Sequence, residues 1–598
     1  MRDGTTNREQ GRSVRNRRTA FLRATLALTM LSGCGGSGHS SKPSSSPAGI
    51  SSLKTTPLNL GLPKEALSAP VTGKVPPNQT LHVGVTLKIS DATWKQLGHG
   101  KSTSQGAQGL AQKLGVTDEE LKKLNEYFAS AHIQAKPSKT RTSLTFDVKA
   151  GVAGQLLKTS FVTHSLKGRS YFTPDPAHMP VVPTQIAGYI LSVTGLDSFS
   201  QAPRARAGRP TAFTRTGAMR APNCGQFPPR AATYQKVAQA YGYDKLWQQG
   251  WRGENMTVNL VEMDGYDPRD IAAYNACSGS HISLTNVNLG ATAPPPGGEA
   301  TLDIEMLAGL APGVRIVDYQ EDPALLNTGS GSDSWTAFNN ALQRIIDDNV
   351  NAPRPGSVVS ISLGGAEGFM SQATMQAVDQ NLRILTQAER MTVFVASGDC
   401  GAYGDRMYGP LDVSFPSTSQ WAVAVGGTRM AFGAPGTRAQ EQVWSDRSNL
   451  SKCENQWGSG GGLSKVFPKP WYQVGPGVAN QYTTGYRQVP DVSAAAIDLP
   501  VFFQGRWHGF GGTSAAAPIW AAGMVLMNQG LLTRKHVFWY GPDTLYHVLG
   551  QGGANTPYYD VVTGNNLYYP ATPGYDLSTG LGTPNALNLF NILLNSPV

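Results

Sequence analysis

The chain has 598 residues, 40% of them apolar and 15% charged, with 68 glycines and five cysteines. That composition excludes disordered and disulfide-scaffold proteins and predicts a soluble globular chain of several domains, and no apolar run after the N-terminus reaches the ~18 residues of a membrane span. The formal charge of +10 is split: residues 1–220 hold 29 Lys+Arg against 11 Asp+Glu, and residues 221–598 hold 21 against 29, which argues against nucleic acid as partner and for two parts of the chain that attract each other.

The N-terminus reads as a targeting segment. Arg12, Arg15, Arg17, Arg18 and Arg23 surround or precede the apolar stretch ATLALTML (24–31), and LSGC ends at Cys34. Positive charge, a short apolar core and small residues make a secretory signal, assigned to 1–33. Leu-Ser-Gly-Cys resembles the bacterial lipobox, which implies an exported bacterial protein, extracellular or held at the cell surface by lipid on Cys34, its one expected membrane contact. Arg17-Arg18 before Phe21-Leu22 looks like a twin-arginine signal spaced one residue too widely. Residues 34–75, with GGSGHSSKPSSSPAG, read as a flexible tether.

Residues 76–200 read as a small α+β domain. LHVGVTLKIS (81–90) is a strand, and Thr117 with Glu120 forms a capping box before a helix whose Leu121, Leu124 and Phe128 share a face. SLTFDVK (143–149) alternates as a half-buried strand, and IAGYILSVTGL (186–196) is assigned as a helix. Residues 201–225 carry five arginines and no hydrophobic period, the pattern of an exposed, cleavable linker.

From 226 to 598 the pattern becomes α/β. MTVNLVEM (256–263), SVVSISLG (357–364), MTVFVASGD (391–399) and WAVAVGG (421–427) are β-branched apolar runs of the kind buried on both faces of a parallel sheet. LDIEMLAGLA (302–311) and WTAFNNALQRIIDD (335–348) are helical between them, giving a doubly wound sheet with ligands at the strands' carboxyl ends. The four cysteines beyond Cys34 suit two disulfides, assigned by proximity as Cys224–Cys277 and Cys400–Cys453.

Chemistry concentrates in three turns. Ser514 lies in GGTSAAAP (511–518), a glycine turn opening a helix. Glu299 and Asp303 in GGEATLDIE (297–305) are four apart, on one helical face. Asp399 closes a buried strand in ASGDCG (396–401). A serine nucleophile needs a base. Asp264 in VEMDG imitates a subtilisin-type aspartate, but His281, His508, His536 and His547 all lack the segment that would supply its imidazole. A carboxylate serves instead: Glu299 takes the proton, Asp303 polarises Glu299, and protonated Asp399 donates to the oxyanion beside the Ser514 N–H. Two close carboxyls retain one proton between them, which favours acidic working conditions.

These motifs resemble the sedolisin, or serine-carboxyl, peptidase family, including its kumamolisin-like members. SISLGG (360–365), GSGGGLSKVF (458–467), VPDVSAAA (489–496) and, in the first domain, VVPTQIAGYILSVTGLD (181–197) extend the likeness. The resemblance implies a subtilisin-like fold preceded by an activation domain, and Ser514, Glu299, Asp303 and Asp399 in the roles above. It implies protein or peptide substrates, with the propeptide as intramolecular inhibitor and folding aid. Asp560 and Asp576 on Gly-rich loops suit calcium. The family's octahedral site for one ion maps to their side chains and the carbonyls of Val561, Thr572 and Gly574, with Thr572 standing where relatives often have Gly. An acid-acting endopeptidase made as a zymogen is the reading; a tripeptidyl exopeptidase, an inactive surface binding protein and a histidine-dependent subtilase are its alternatives. The charge split predicts that salt at mildly acidic pH speeds processing.

Overall fold

The computed structural model describes residues 54–596 except 99–113, 167, 201, 206–210, 213–223, 225–226, 352–353, 355, 405–409, 434–436, 447–456, 537 and 550–554. The signal segment, Cys34 and Cys453 lie outside the described residues.

The first domain is built on β1 (Thr80–Leu87), α1 (Asp91–Gly98), α2 (Asp118–Ala129), β2 (Lys136–Pro137), β3 (Ser143–Lys149), α3 (Ala150–Leu157) and β4 (Ile190–Thr194). Its antiparallel sheet runs in the order β2-β3-β1-β4. Alternation on β1 buries Leu81, Val83 and Val85 against Leu124 and Phe128 of α2 and Leu144 of β3. The capping box at Thr117 forms as its spacing predicts.

Two boundaries move. Residues 54–75, expected as tether, are folded: Thr55–Pro57 pairs with Val181–Pro183, and Val71–Lys74 pairs with Phe161–Leu166. Leu60 is 1% exposed and Ala66 fully buried; burying a leucine is worth roughly 1.5–3 kcal/mol, which adds to the strand pairing in ordering the segment. The helix expected over 186–196 is one turn, Thr184–Ala187, followed by β4. Ile190, Val193 and Thr194 are β-branched, and β1 offers an open edge that rewards an extended chain there.

The linker is not wholly free either. Two short strands lie on the second domain: β5 (Arg204–Ala205) pairs antiparallel with Leu363–Gly364, and β6 (Thr211–Ala212) with His508–Gly509.

The second domain follows as β7 (Thr257–Glu262), α4 (Pro268–Ser278), β8 (Ser283–Asn288), α5 (Gly298–Leu310), β9 (Arg315–Gln320), α6 (Gly331–Asn351), β10 (Val358–Ile361), β11 (Leu363–Ala366), α7 (Gln372–Arg383), β12 (Thr392–Ala396), β13 (Val423–Phe432), β14 (Arg438–Val443), β15 (Val492–Ala495), β16 (Leu499–Phe503), β17 (Arg506–Phe510) and α8 (Thr513–Thr533). The sheet order is β8-β9-β7-β10-β12-β13-β14, with β15 also on β13; every pairing is parallel except the edge pair β13-β14. Every residue of β7, β10 and β12 is buried, as expected for strands covered on both faces. By length and composition α8 is apolar enough to span a membrane. It is instead a core helix, with Ile519, Trp520, Met524 and Val525 at 0% exposure.

Cys224–Cys277 is bonded, with S–S 1.99 Å, tying the linker's end to α4. Cys400 is also disulfide-bonded.

The two domains meet through α6 and α7. Gln343 accepts from Thr142 (3.4 Å) and Ser143 (3.2 Å), Gln380 Nε2 donates to Leu87 O (2.9 Å), and Lys139 N donates to Asp347 Oδ2 (3.4 Å). Arg383 is sandwiched between Trp94 of α1, 3.9 Å away, and Trp421 at 4.7 Å. No ion pair between described residues joins the domains. Opposite charges face each other across the interface at longer range, Lys139 with Asp347 and Asp91 with Arg383. Hydrogen bonds, one of them to the Asp347 carboxylate, and a cation over aromatic faces make its direct contacts.

Candidate active site

Four turns meet at the carboxyl ends of the parallel strands. Asp264 follows β7, Ser362 follows β10, Asp399 follows β12, and Ser514 is the second residue of α8. The sheet places the first three because strand ends in this topology share one edge. Helix α5 supplies Glu299 in its first turn and Asp303 one turn on, and packs beside α8.

Glu299, Asp303 and Ser514 are 2%, 0% and 0% exposed. Ser362 joins two of them: its hydroxyl has one proton, which reaches Asp303 Oδ2 at 2.7 Å, with the Ser514 carbonyl as the longer alternative acceptor at 3.2 Å. In turn Ser514 Oγ donates to the Ser362 carbonyl at 3.4 Å. No hydrogen bond joins Ser514 Oγ to Glu299 among the described residues. No hydrogen bond joins Ser514 Oγ to an imidazole among the described residues either. His508, the histidine nearest in sequence, has its Nε2 accepting from Arg506 at 3.1 Å and its ring against Phe503 and Phe510.

Asp264 does different work from its subtilisin look-alike. Its carboxylate accepts from the N–H groups of Glu299 (3.3 Å) and Ala300 (2.9 Å), capping α5, whose own N-cap is a glycine with no side chain to offer. Gly297 is required there, because a Cβ would lie 1.7 Å from Asp264 Oδ2. Burial pushes Asp264 up to about 6 despite those two donors.

Asp303 has a partner that the motifs do not include. Glu262, the last residue of β7, is a buried carboxyl that interacts electrostatically with it, and two such neighbours favour keeping a proton between them. Burial raises both, more than the Ser362 bond lowers Asp303, and the charge on Asp303 raises Glu262 further. A glutamate inside the apolar run NLVEMD was the available signal. Asp318 stands nearby on β9, pushed by burial up to about 7 and held by Gln320 Nε2 at 2.7 Å.

Asp399 is 1% exposed, and its Oδ1 accepts from both the N–H and the hydroxyl of Thr513, each at 2.8 Å. The turn beneath it depends on Gly398 at φ +107°, a conformation open to glycine. As the start of a buried 21-residue helix, α8 brings N–H groups and the positive end of its dipole to the same place.

The expected calcium ligands lie on two loop segments joined by hydrogen bonds. Asp560 Oδ2 accepts from Gly574 N at 2.8 Å and Asp576 Oδ2 from Thr572 N at 3.1 Å, so both carboxylates sit on the loop whose carbonyls were expected to complete the site. Asp576 is buried and pushed up to about 7, and Asp560 is raised by partial desolvation too. A buried carboxylate and an exposed one at the same loop, with no ion pair to either among the described residues, are hard oxygen donors that fit a divalent ion.

The Pro-kumamolisin activation domain model matches residues 69–199, and the Subtilase family model matches residues 279–547. The chain is 34% identical over 443 residues to kumamolisin of Bacillus sp. (strain MN-32), covering 69% of this chain and 72% of that protein. It is 26% identical over 560 residues to sedolisin of Pseudomonas sp. (strain 101), covering 87% and 88%. Tripeptidyl-peptidase sed5 of Aspergillus fumigatus is 26% identical over 399 residues, 60% of this chain and 65% of that protein. Among solved structures, Pseudomonas sedolisin superposes with a TM-score of 0.51 at 24% identity, covering 60% of this chain and 97% of that one, a likeness of fold. Fold and relatives together define a serine peptidase carrying an activation domain. The chain belongs to the sedolisin–kumamolisin family of serine-carboxyl peptidases.

Proposed function

We propose that the protein is an exported, acid-acting endopeptidase with Ser514 as nucleophile, Glu299 as its base, Asp303 as the group that polarises Glu299, and Asp399 as oxyanion donor. The observation that carries this reading is the buried Asp303–Ser362–Ser514 connection beside Glu299, with no imidazole hydrogen-bonded to Ser514 Oγ among the described residues. This role requires the Ser514 hydroxyl to leave the Ser362 carbonyl for Glu299; catalytic hydrogen bonds commonly tighten only with substrate in place. Glu299 takes the hydroxyl proton as the oxygen attacks the peptide carbonyl, then returns it to the leaving amine. The carbonyl oxygen becomes negative against the acid form of Asp399 and the Ser514 N–H.

Internal cleavage is favoured over tripeptide release by the linker. Its β5 lies on the segment directly after Ser362, and its β6 on the strand leading to Ser514. A chain that approaches the site and continues past it is what an endopeptidase must accommodate. The cut that frees the activation domain then falls within 201–225. One calcium ion held by Asp560 and Asp576, with the carbonyls of Val561, Thr572 and Gly574, would neutralise the buried Asp576 and the exposed Asp560 and fix the loop; it takes no part in the proton transfers. The signal pattern supports a location outside the cell, either extracellular or at the cell surface with lipid on Cys34.

Acidifying the purified precursor tests the assignment. Wild type is expected to process itself, while Ser514→Ala and Glu299→Gln remain intact. Processing by either variant removes that residue from its role.

A further inference from the structure

We infer that Thr513 is a positioning residue that fixes which oxygen of Asp399 carries the proton. The inference rests on the reading of Asp399 as oxyanion donor and extends it to a residue not assigned above.

A threonine hydroxyl rotates freely unless a neighbour commits it. Here Gly398 N donates to Thr513 Oγ1 at 3.1 Å, using an acceptor position on that oxygen and turning its own proton to Asp399 Oδ1 at 2.8 Å. The backbone N–H of Thr513 reaches the same Oδ1, also at 2.8 Å. In a neutral carboxylic acid the carbonyl oxygen is the good acceptor and the other oxygen holds the proton. Two donors converging on Oδ1 therefore assign the proton to Oδ2. With Oδ1 fixed, the O–H direction is fixed as well, and an oxyanion donor works only when aimed beforehand.

The arrangement also couples donor to nucleophile. Thr513 and Ser514 are consecutive residues in the first turn of α8, so a shift of that turn moves the Asp399 carboxyl with the attacking oxygen. The competing role is purely structural, Thr513 stabilising the helix start. That role would not depend on the carboxyl of Asp399.

The test uses the full-length precursor and the rate of its own processing after acidification. Thr513→Val removes the hydroxyl at nearly constant volume; Thr513→Ser restores it. Misaiming a donor whose removal costs 10²–10³ is expected to slow Thr513→Val roughly 10–100-fold, with Thr513→Ser within about threefold of wild type. In an Asp399→Ala background Thr513→Val should add less than about threefold, as coupled residues do in a double-mutant cycle. On a peptide substrate the matured Thr513→Val enzyme should lose kcat while KM stays within about twofold. Wild-type speed in Thr513→Val, an equal loss in both backgrounds, or a Thr513→Ser as slow as Thr513→Val overturns the inference. If Thr513→Val yields no folded precursor, Thr513→Ala carries the same comparison. Intact wild-type precursor would sink the functional reading itself; wild-type processing with an unaffected Thr513→Val sinks only this inference.

Discussion

At the scale of single residues, the site is a set of carboxyls with different surroundings. Ser362 Oγ donates to Asp303 Oδ2 at 2.7 Å, and a donor to the charged form holds a carboxyl down. Ser362→Ala should therefore raise Asp303 further, move the corresponding limb of the kcat–pH profile upward and lower kcat about tenfold, a typical scale for lost acid–base support. Unchanged profiles would remove Ser362 from the proton path. Ser514, Glu299, Asp303 and Asp399 were legible in the sequence because each lies in a short motif at a helix start or strand end. Glu262 was not: it ends a buried strand 37 residues before Glu299 in the chain, and only the parallel sheet brings it to α5. Asp264 was legible as an acid at the right strand end, but its task was not, since capping depends on where α5 begins.

At the scale of elements, strands and helices with a single period were read correctly, and those with two workable readings were not. The run 186–196 has apolar spacing that suits a helix, yet it completes a sheet, because an unpaired edge of β1 outweighs a weak helical preference. Residues 54–75 have no clear period, and their order comes from pairing and from burial of Leu60. The interface between domains depends on elements distant in sequence, α1 with α7, which composition alone could not locate. Arg383 between Trp94 and Trp421 keeps its charge in acid and is little screened by salt. Trp94→Ala should weaken the hold of the activation domain by about 1–2 kcal/mol and speed its release, read as faster processing at fixed pH. A strong acceleration of wild-type processing by salt alone would favour paired charges over this sandwich.

At the scale of the whole molecule, buried acids set how stability varies with pH. Asp264 at about 6, and Asp318 and Glu367 at about 7, are all raised by burial above the range they have in an unfolded chain. The native state then binds more protons than the unfolded state between about pH 4 and 7. Their contribution is full below the unfolded range and is lost as pH rises through 6 to 7, so Tm should be higher near pH 4 than near pH 7. A flat or rising Tm over that range would contradict the sign. Chelation should lower Tm at fixed pH, and Asp576→Asn should abolish that sensitivity; equal chelator effects in both proteins would argue against the loop as the ion's home. The Cys224–Cys277 bond has a topological outcome for maturation. Scission upstream of residue 224 lets the two halves part under oxidising conditions. Scission downstream would leave them covalently joined, a single band until a thiol reductant is added, so electrophoresis with and without reductant reports on which side of that knot the polypeptide was severed.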